Sequence, residues 1–325
     1  MKLTFTSRLS SALSNGETTY LITGATGWLG RALAEMLHQS LGERFPERVI
    51  LCGSKAQSMQ LEDGTTLPVH ALPGATALAG TRPAWLFHFA FLTKDRVGTP
   101  SDEEYIARNR EISQETVSII EAGNVGGVML ASSGAVYDHL HGGTREAAAN
   151  LYGMLKAEDE LRFGEACGRH GVKLVQPRIF NLSGPYMNKF GAYALSSIIN
   201  DVLQGGPIRL RADKRVLRSY FYIGDLFELC MRCLADEFPA DAAIKFDTVG
   251  TDVVEVGQLA ERIRFLLGRP LVPIERPALR AGVEDRYIGD AEALTSLMAR
   301  YDMKPLPLDE QIVRTADYLQ QQVAC

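Results

Sequence analysis

A chain of 325 residues is long enough for one large core or for two domains that share a cleft. A net charge of -5, with 46% apolar and 22% charged residues, gives no electrostatic reason to expect nucleic acid or an anionic membrane as partner. No apolar run approaches the roughly 20 residues that span a bilayer, and the five scattered cysteines fit a reducing, cytoplasmic setting.

The opening stretch, residues 1–17, is polar and reads as an extension before the first core strand. "TYLIT" then predicts a strand, followed by a helix over about 28–41 and a second strand, "RVILC". "WLFHFAF" predicts a further strand, followed by a long helix over about 103–121 and the strand "GVMLASS". The run "ANLYGMLKAEDELRF" has helical periodicity and no proline, and "VKLVQPRIF" reads as the next strand. Alternating β and α elements predict a doubly wound, Rossmann-like parallel sheet, with ligands at the carboxyl ends of its strands.

After about residue 181 the alternation fades. The expected organisation is a dinucleotide-binding domain over 18–181 plus about 219–250, with a smaller C-terminal α/β substrate lobe over about 182–218 plus 251–325. Such a lobe over the sheet's carboxyl edge would form a substrate cleft.

"LITGATGWLG" ends the first strand and opens a helix, placing Gly24, Gly27 and Gly30 as G-x-x-G-x-x-G. Gly24 permits a tight turn, Gly27 lets backbone approach a pyrophosphate, and Gly30 allows close packing of helix on strand. The helix start then offers unpaired N–H donors and a positive dipole end to the phosphates. At the end of the second strand an acidic side chain would bond the ribose 2′-hydroxyl of NAD. Gly53 stands there instead, followed by Ser54 and Lys55, so NADP(H) is expected over NAD(H).

Tyr152 and Lys156 lie at i, i+4, on neighbouring positions of one helical face. Ser132 and Ser133 end a strand about twenty residues earlier. In this order the glycine loop, serine and Tyr-x-x-x-Lys resemble an extended short-chain dehydrogenase/reductase of the NAD-dependent epimerase/dehydratase family, whose members modify nucleotide sugars. "HFAF" resembles the family's H-x-A-A, and "NREISQETVSIIEAGNVGGVMLASSGAVYD" its long helix and S-S-x-x-V-Y-G stretch. "PRIFNLSGPY", "RSYFYIGDL" and "EDRYIGDAEAL" resemble R-x-x-N-x-Y-G-P, R-D-F-x-Y-V-x-D and the late D-x-S-K-A segment.

The resemblance implies three catalytic roles. Tyr152 is the acid/base on the substrate hydroxyl, Lys156 lowers the tyrosine's pKa and bonds the nicotinamide ribose, and Ser133 holds the reacting oxygen. Free tyrosine titrates near pH 10, and a cation within ~4–6 Å favours the phenolate. The cofactor would touch Gly24, Thr26, Gly27, Trp28, Leu29, Gly30, Ser54, Lys55, Ala90, Tyr152 and Lys156. The substrate would meet Ser133, Asn181, Arg218 and Arg280, the arginines suiting a diphosphate. "RSY" for the usual "RDF" and "RAGV" for R-x-G-D depart from the family pattern at the nucleotide end.

Nucleotide-sugar dehydratases of the family carry acids just after the serine, where Gly134 and Ala135 stand here, so dehydration is disfavoured. The favoured expectation is an NADP(H)-dependent 4-keto reductase of a nucleotide-linked sugar. The alternative is a nucleotide-sugar 4-epimerase with tightly bound NAD(P). A reductase of a non-sugar alcohol or ketone and a non-catalytic dinucleotide sensor fit the motifs less well. A homodimer through the helices of Asn109 and Tyr152 is a further implication. No metal is expected: Cys230 and Cys233 lack a second ligand pair, and His139 and His141 lack a third ligand.

Overall fold

A computed structural model describes residues 3–78, 83–99, 101–140, 147–236 and 243–323. In chain order the elements begin with helix α1 (Ser7–Asn15), strand β1 (Thr19–Thr23), α2 (Trp28–Leu41), the single turn α3 (Phe45–Arg48) and β2 (Val49–Gly53). They continue with β3 (Gln57–Gln60), β4 (Thr66–Ala71), β5 (Ala84–His88), α4 (Asp102–Glu121), β6 (Val125–Leu130) and β7 (Ser132–Ser133). Next come α5 (Val136–Leu140), α6 (Ala147–His170), β8 (Lys173–Ile179), β9 (Leu182–Ser183), α7 (Ala194–Leu203) and β10 (Ile208–Arg209). β11 (Arg215–Arg218), β12 (Phe221–Tyr222), α8 (Ile223–Ala235), β13 (Ile244–Asp247) and β14 (Val254–Glu255) follow. The chain ends with α9 (Val256–Leu266), β15 (Ile274–Glu275), β16 (Glu284–Tyr287), α10 (Glu292–Arg300) and α11 (Leu308–Val323).

The chain forms two compact units. The first comprises Thr4–Ile179 and Phe227–Phe246, and the second holds Leu3, Phe180–Leu226 and the chain from Asp247 onward. The sequence-based bounds assign 219–226 to the first unit, whereas these residues cluster with the second.

The first unit is built on a sheet with strand order β13-β8-β6-β5-β1-β2-β4-β3, with β7 beside β8. The pairings from β8 through β6, β5, β1 and β2 to β4 are parallel, and β3 runs antiparallel on β4. Every residue of β1 is buried, as expected for a strand covered by helices on both faces. The chain runs from β1 outward to β2 and β4, then returns to β5 on the other side of β1. That reversal between β1 and β5 is the switch point at which doubly wound sheets bind ligands. The expected parallel sheet is therefore present. The β3–β4 hairpin is an element that sequence reasoning missed, because its strands are short and half exposed. The strand expected over "WLFHFAF" ends at His88, which leaves Phe89–Phe91 in the loop at the carboxyl edge.

The opening residues are more than an extension. Phe5, Leu9 and Leu13 are buried, and the Thr6 hydroxyl caps α1 by accepting from Leu9 N at 3.4 Å. Thr6 also donates from N and Oγ1 to the Glu228 carboxylate at 3.0 and 2.7 Å. Arg48, 0% exposed, donates to the carbonyls of Thr18 and Gly16, each at 2.6 Å. These bonds tie the segment into the first unit.

The second unit has its own core, in which Leu195, Ile199 and Val202 of α7 meet Leu259 and Ile263 of α9 and Ile312 of α11. Its strands form small separate sheets: β14-β11-β16, β10-β15 and β9-β12.

Candidate active site

The glycine loop joins β1 to α2. Gly24 has φ +69°, and a Cβ there would come within 2.7 Å of the Phe89 and Ala90 backbone on the neighbouring loop, so only glycine fits. A Cβ on Gly30 would collide with the Gly24 carbonyl and the Ala25 backbone, which fixes how closely α2 approaches the turn. Gly27 is the N-cap of α2 and supplies no side-chain cap, and the first turn carries no acidic residue. The helix start thus keeps its N–H donors for an anion. Thr26 is exposed, and Trp28 and Leu29 are half-buried beside it. A dinucleotide's pyrophosphate fits this cradle.

At the end of β2, Gly53 is buried and a Cβ there would press Val69 Cγ1 at 3.1 Å. Ser54 and Lys55 are exposed.

The loop after β5 is held from three sides. The Thr23 hydroxyl accepts from Phe89 N and Ala90 N, each at 3.3 Å, and lies 2.8 Å from His88 Nδ1. Burial, with the nearby Lys156 charge, lowers the His88 pKa to about 3, so the ring is neutral. It stacks on Phe163 of α6 at 4.9 Å. His88 is therefore a packed, structural ring. Asn109 Oδ1 accepts from Leu92 N at 2.8 Å, and Tyr105 donates to Leu92 O at 2.7 Å. These two residues of α4 pin the loop just beyond Phe91.

Ser133, Tyr152 and Lys156 all belong to the first unit. Ser133 is buried at the tip of β7, its Oγ accepting from Ala135 N at 3.2 Å. Tyr152 and Lys156 lie on successive turns of α6. A Cβ on Gly153 would overlap the Ala135 carbonyl, so this glycine lets α6 lie against the segment that follows Ser133. Lys156 is 5% exposed and donates to Ala131 O at 2.9 Å. Burial lowers its pKa to about 8, against the opposing pull of Asp159 and Glu160. The Phe91 ring lies over the ammonium, 3.8 Å from its centroid, and perpendicular to the Tyr152 ring at 5.5 Å.

Below the serines, Glu160 accepts from Ser132 Oγ at 2.5 Å and from Arg178 Nε and Nη2 at 2.8 and 2.7 Å. Lys245 of β13 approaches it at 3.7 Å. Burial alone would raise the Glu160 pKa, but Arg178 and Ser132 leave it lowered, so the carboxylate stays charged. Gly153, Glu160, Arg178 and Phe91 were not singled out from the sequence. A glycine inside the helical run and an aromatic in place of the last alanine of H-x-A-A were the available signals.

Of the expected substrate residues, Asn181, Arg218 and Arg280 lie in the second unit and Ser133 in the first. Asn181 Nδ2 donates to Ser219 O and Tyr287 O at 3.3 and 3.2 Å, and Arg218 sits over the same Tyr287 ring at 5.9 Å. Arg218 is paired with Asp285 at 3.3 Å and donates to Leu217 O at 2.8 Å. Arg280 is exposed and paired with Asp213 at 3.0 Å. His139 is exposed on α5, and His141 lies outside the described residues.

Comparison with known proteins decides the family. Residues 20–244 match the model of the NAD dependent epimerase/dehydratase family. The chain belongs to this family. A probable UDP-glucuronate 4-epimerase of Rhizobium meliloti (strain 1021) is 24% identical, over 93% of this chain and 97% of that protein. The solved structure of a UDP-N-acetylglucosamine 4-epimerase from Methanobrevibacter ruminantium M1, in complex with UDP-N-acetylmuramic acid, superposes with TM-score 0.73. The two chains are 18% identical, with 94% of this one and 99% of that one covered. A UDP-glucose 4-epimerase of Thermus thermophilus in complex with NAD gives TM-score 0.68 at 21% identity, covering 93% and 99%. These family members share the extended dehydrogenase/reductase fold of this enzyme. None of these three is a keto reductase, so the reductase expected from the sequence finds no support among them, and the epimerase alternative fits better.

Proposed function

We propose that this protein is a nucleotide-sugar 4-epimerase that keeps its nicotinamide dinucleotide through both halves of the reaction. The reading is carried by the likeness to a probable UDP-glucuronate 4-epimerase along 93% of the chain. The geometry around α6 agrees with it. Gly24, Gly27 and Gly30 would hold the dinucleotide, which when bound supplies the hydride acceptor and donor. Tyr152 would take the proton of the C4 hydroxyl and later return it to the same oxygen, once the keto sugar has turned its opposite face for reduction. Lys156, charged below about pH 8, would favour the phenolate of Tyr152. Ser133 would hold the reacting oxygen. Gly134 and Ala135, both buried, offer no acid or base for a dehydration.

The substrate's diphosphate would be met by Arg218 and Arg280, each exchanging a carboxylate partner for phosphate, with Asn181 beside them. At the adenosine end, Gly53 followed by exposed Ser54 and Lys55 favours acceptance of a 2′-phosphate, and hence NADP(H). The same feature is what favours the second reading, a 4-keto reductase drawing on NADPH. We also infer a homodimer through α4 and α6, where Leu161 is 68% exposed. Light scattering that shows only monomer at micromolar concentration would end that inference. Cys52, Cys167, Cys230 and Cys233, all buried and outside any disulfide, accord with a cytoplasmic protein.

The deciding experiment incubates the protein, as purified, with UDP-glucuronate, UDP-glucose or UDP-N-acetylglucosamine and separates the C4 epimers. Interconversion with no net change in absorbance at the reduced-nicotinamide wavelength supports the epimerase. Stoichiometric NADPH consumption with a keto sugar establishes the reductase. Tyr152→Phe is expected to fold, bind cofactor and lose turnover by at least about 10²-fold, the scale of general acid–base catalysis.

A further inference from the structure

We propose that Phe91 is a positioning residue for the Tyr152–Lys156 pair: its ring seats the Lys156 ammonium and packs at right angles to the Tyr152 phenol. The proposal rests on the proton-transfer role of Tyr152 argued above.

Lys156 is 5% exposed, so its ammonium cannot be solvated as it would be in water. One of its three N–H donors goes to Ala131 O at 2.9 Å. The face of Phe91, 3.8 Å from Nζ, offers the negative side of its quadrupole to a second. That leaves one donor for a ribose hydroxyl or the tyrosine. The same ring meets Tyr152 with centroids 5.5 Å apart and planes at 89°, a favourable aromatic geometry. One side chain therefore touches both members of the pair.

Phe91 can do this because its backbone is fixed on both flanks. Ala90 N donates to Thr23 Oγ1, and Leu92 is bonded at N by Asn109 and at O by Tyr105. Loop clamps of this density hold one ring in place. An alanine at 91 would reach neither group.

The other charged and titratable groups around Lys156 come from several elements. Asp159 and Glu160 share its helix, Arg178 of β8 and Lys245 of β13 bind Glu160, and neutral His88 faces it from β5. Asp138 and His139 stand on α5, which packs on α6, as does the turn carrying Lys94, Asp95 and Arg96. Helix α4 presents Asn109 and the Ser113–Asp159 hydrogen bond. Phe91→Tyr leaves all of these in place, so a shift in Lys156 titration confined to Phe91→Leu reports the ring.

The test compares Phe91→Leu, which keeps apolar bulk without a quadrupole, with Phe91→Tyr, which keeps the ring. Full-length protein carrying lysine labelled with carbon-13 at the ε position is titrated by NMR, and Lys156→Met assigns the resonance. Phe91→Leu is expected to lower the Lys156 titration point by about half to one pH unit, and Phe91→Tyr to leave it in place. The alkaline limb of kcat on UDP-glucuronate should move down with it, while KM stays within about twofold. An unchanged or raised titration point in folded Phe91→Leu overturns the proposal. So does an equal shift in both variants, which would mean that the site merely tolerates no change. Retained turnover in Tyr152→Phe would instead overturn the role of Tyr152, and the NMR titration would still test the Phe91 contact.

Discussion

On the inner face of α6, Lys156 and Glu160 are buried and each is held from more than one element, whereas Arg218 and Arg280 of the second unit each rest against an aspartate nearer the surface. Glu160 takes bonds from Ser132 and twice from Arg178, and is 5% exposed. Arg280 faces Asp213 with both side chains more than half exposed. The first arrangement fixes a charge and admits no exchange. The second leaves a guanidinium that can trade one oxyanion for another at little cost. A proton-transfer centre needs the former, and a site for a charged, leaving ligand needs the latter.

The comparison is broken most severely at Glu160. Glu160→Ala leaves the half-buried Arg178 guanidinium without its carboxylate, and we expect a loss of about 2–4 kcal/mol in denaturant-derived stability. A loss under about 1 kcal/mol would mean that water screens the pair, and that the α6 network is no more committed than the surface arginines.

His88 sharpens the same point through pH. Its pKa is lowered to about 3 by burial, below the ordinary value near 6.5. Between those values the unfolded chain binds the proton and the folded one does not. Stability is therefore present above about pH 6.5 and falls as pH drops, by about 1.4 kcal/mol per unit from this residue. His88→Gln removes the group. Its stability at pH 5 relative to pH 7 should fall less steeply than that of the wild type.

Gly153 tests packing without charge. In an exposed helix, Gly→Ala would add about 1 kcal/mol of stability. Here the new methyl meets the Ala135 carbonyl, and we expect Gly153→Ala to cost about 1–3 kcal/mol and to lower kcat. A stabilised variant would show that α6 can move off the serine segment freely.

How much of this was legible beforehand follows from the range of the forces involved. The parallel sheet, the glycine turn and the Tyr152–Lys156 spacing are local patterns, and each has its expected element in the structure. The β3–β4 hairpin was hidden because "QSMQ" and "TLPVHA" lack the long apolar runs that mark central strands. Arg178 and Glu160 are 18 residues apart, and Phe91 and Lys156 lie on different elements. Nothing in periodicity pairs such residues; only the sheet order that sets β5 and β8 on either side of β6 does so. The N-terminal residues read as no more than an extension because the partner of Thr6, Glu228, is 222 positions away. Epimerase and reductase are not told apart by the Tyr152–Lys156 motif, because both reactions use the same proton transfer.

The smallest expected effect lies at the exposed arginine, and its sign carries the argument. Arg280→Ala should change stability by less than about 0.5 kcal/mol, since an exposed pair contributes little. If Asp213 only parks the guanidinium until a diphosphate arrives, removing the carboxylate helps binding. Asp213→Asn should then lower KM for UDP-glucuronate by about two- to fivefold, the equivalent of the roughly 0.5–1 kcal/mol such a pair is worth. Arg280→Ala should raise it, and the double variant should match Arg280→Ala, because the aspartate acts through the arginine alone. An unchanged KM in Asp213→Asn would mean that Arg280 never leaves its carboxylate. In that case the half-buried Arg218 would be the cation left to meet the phosphates.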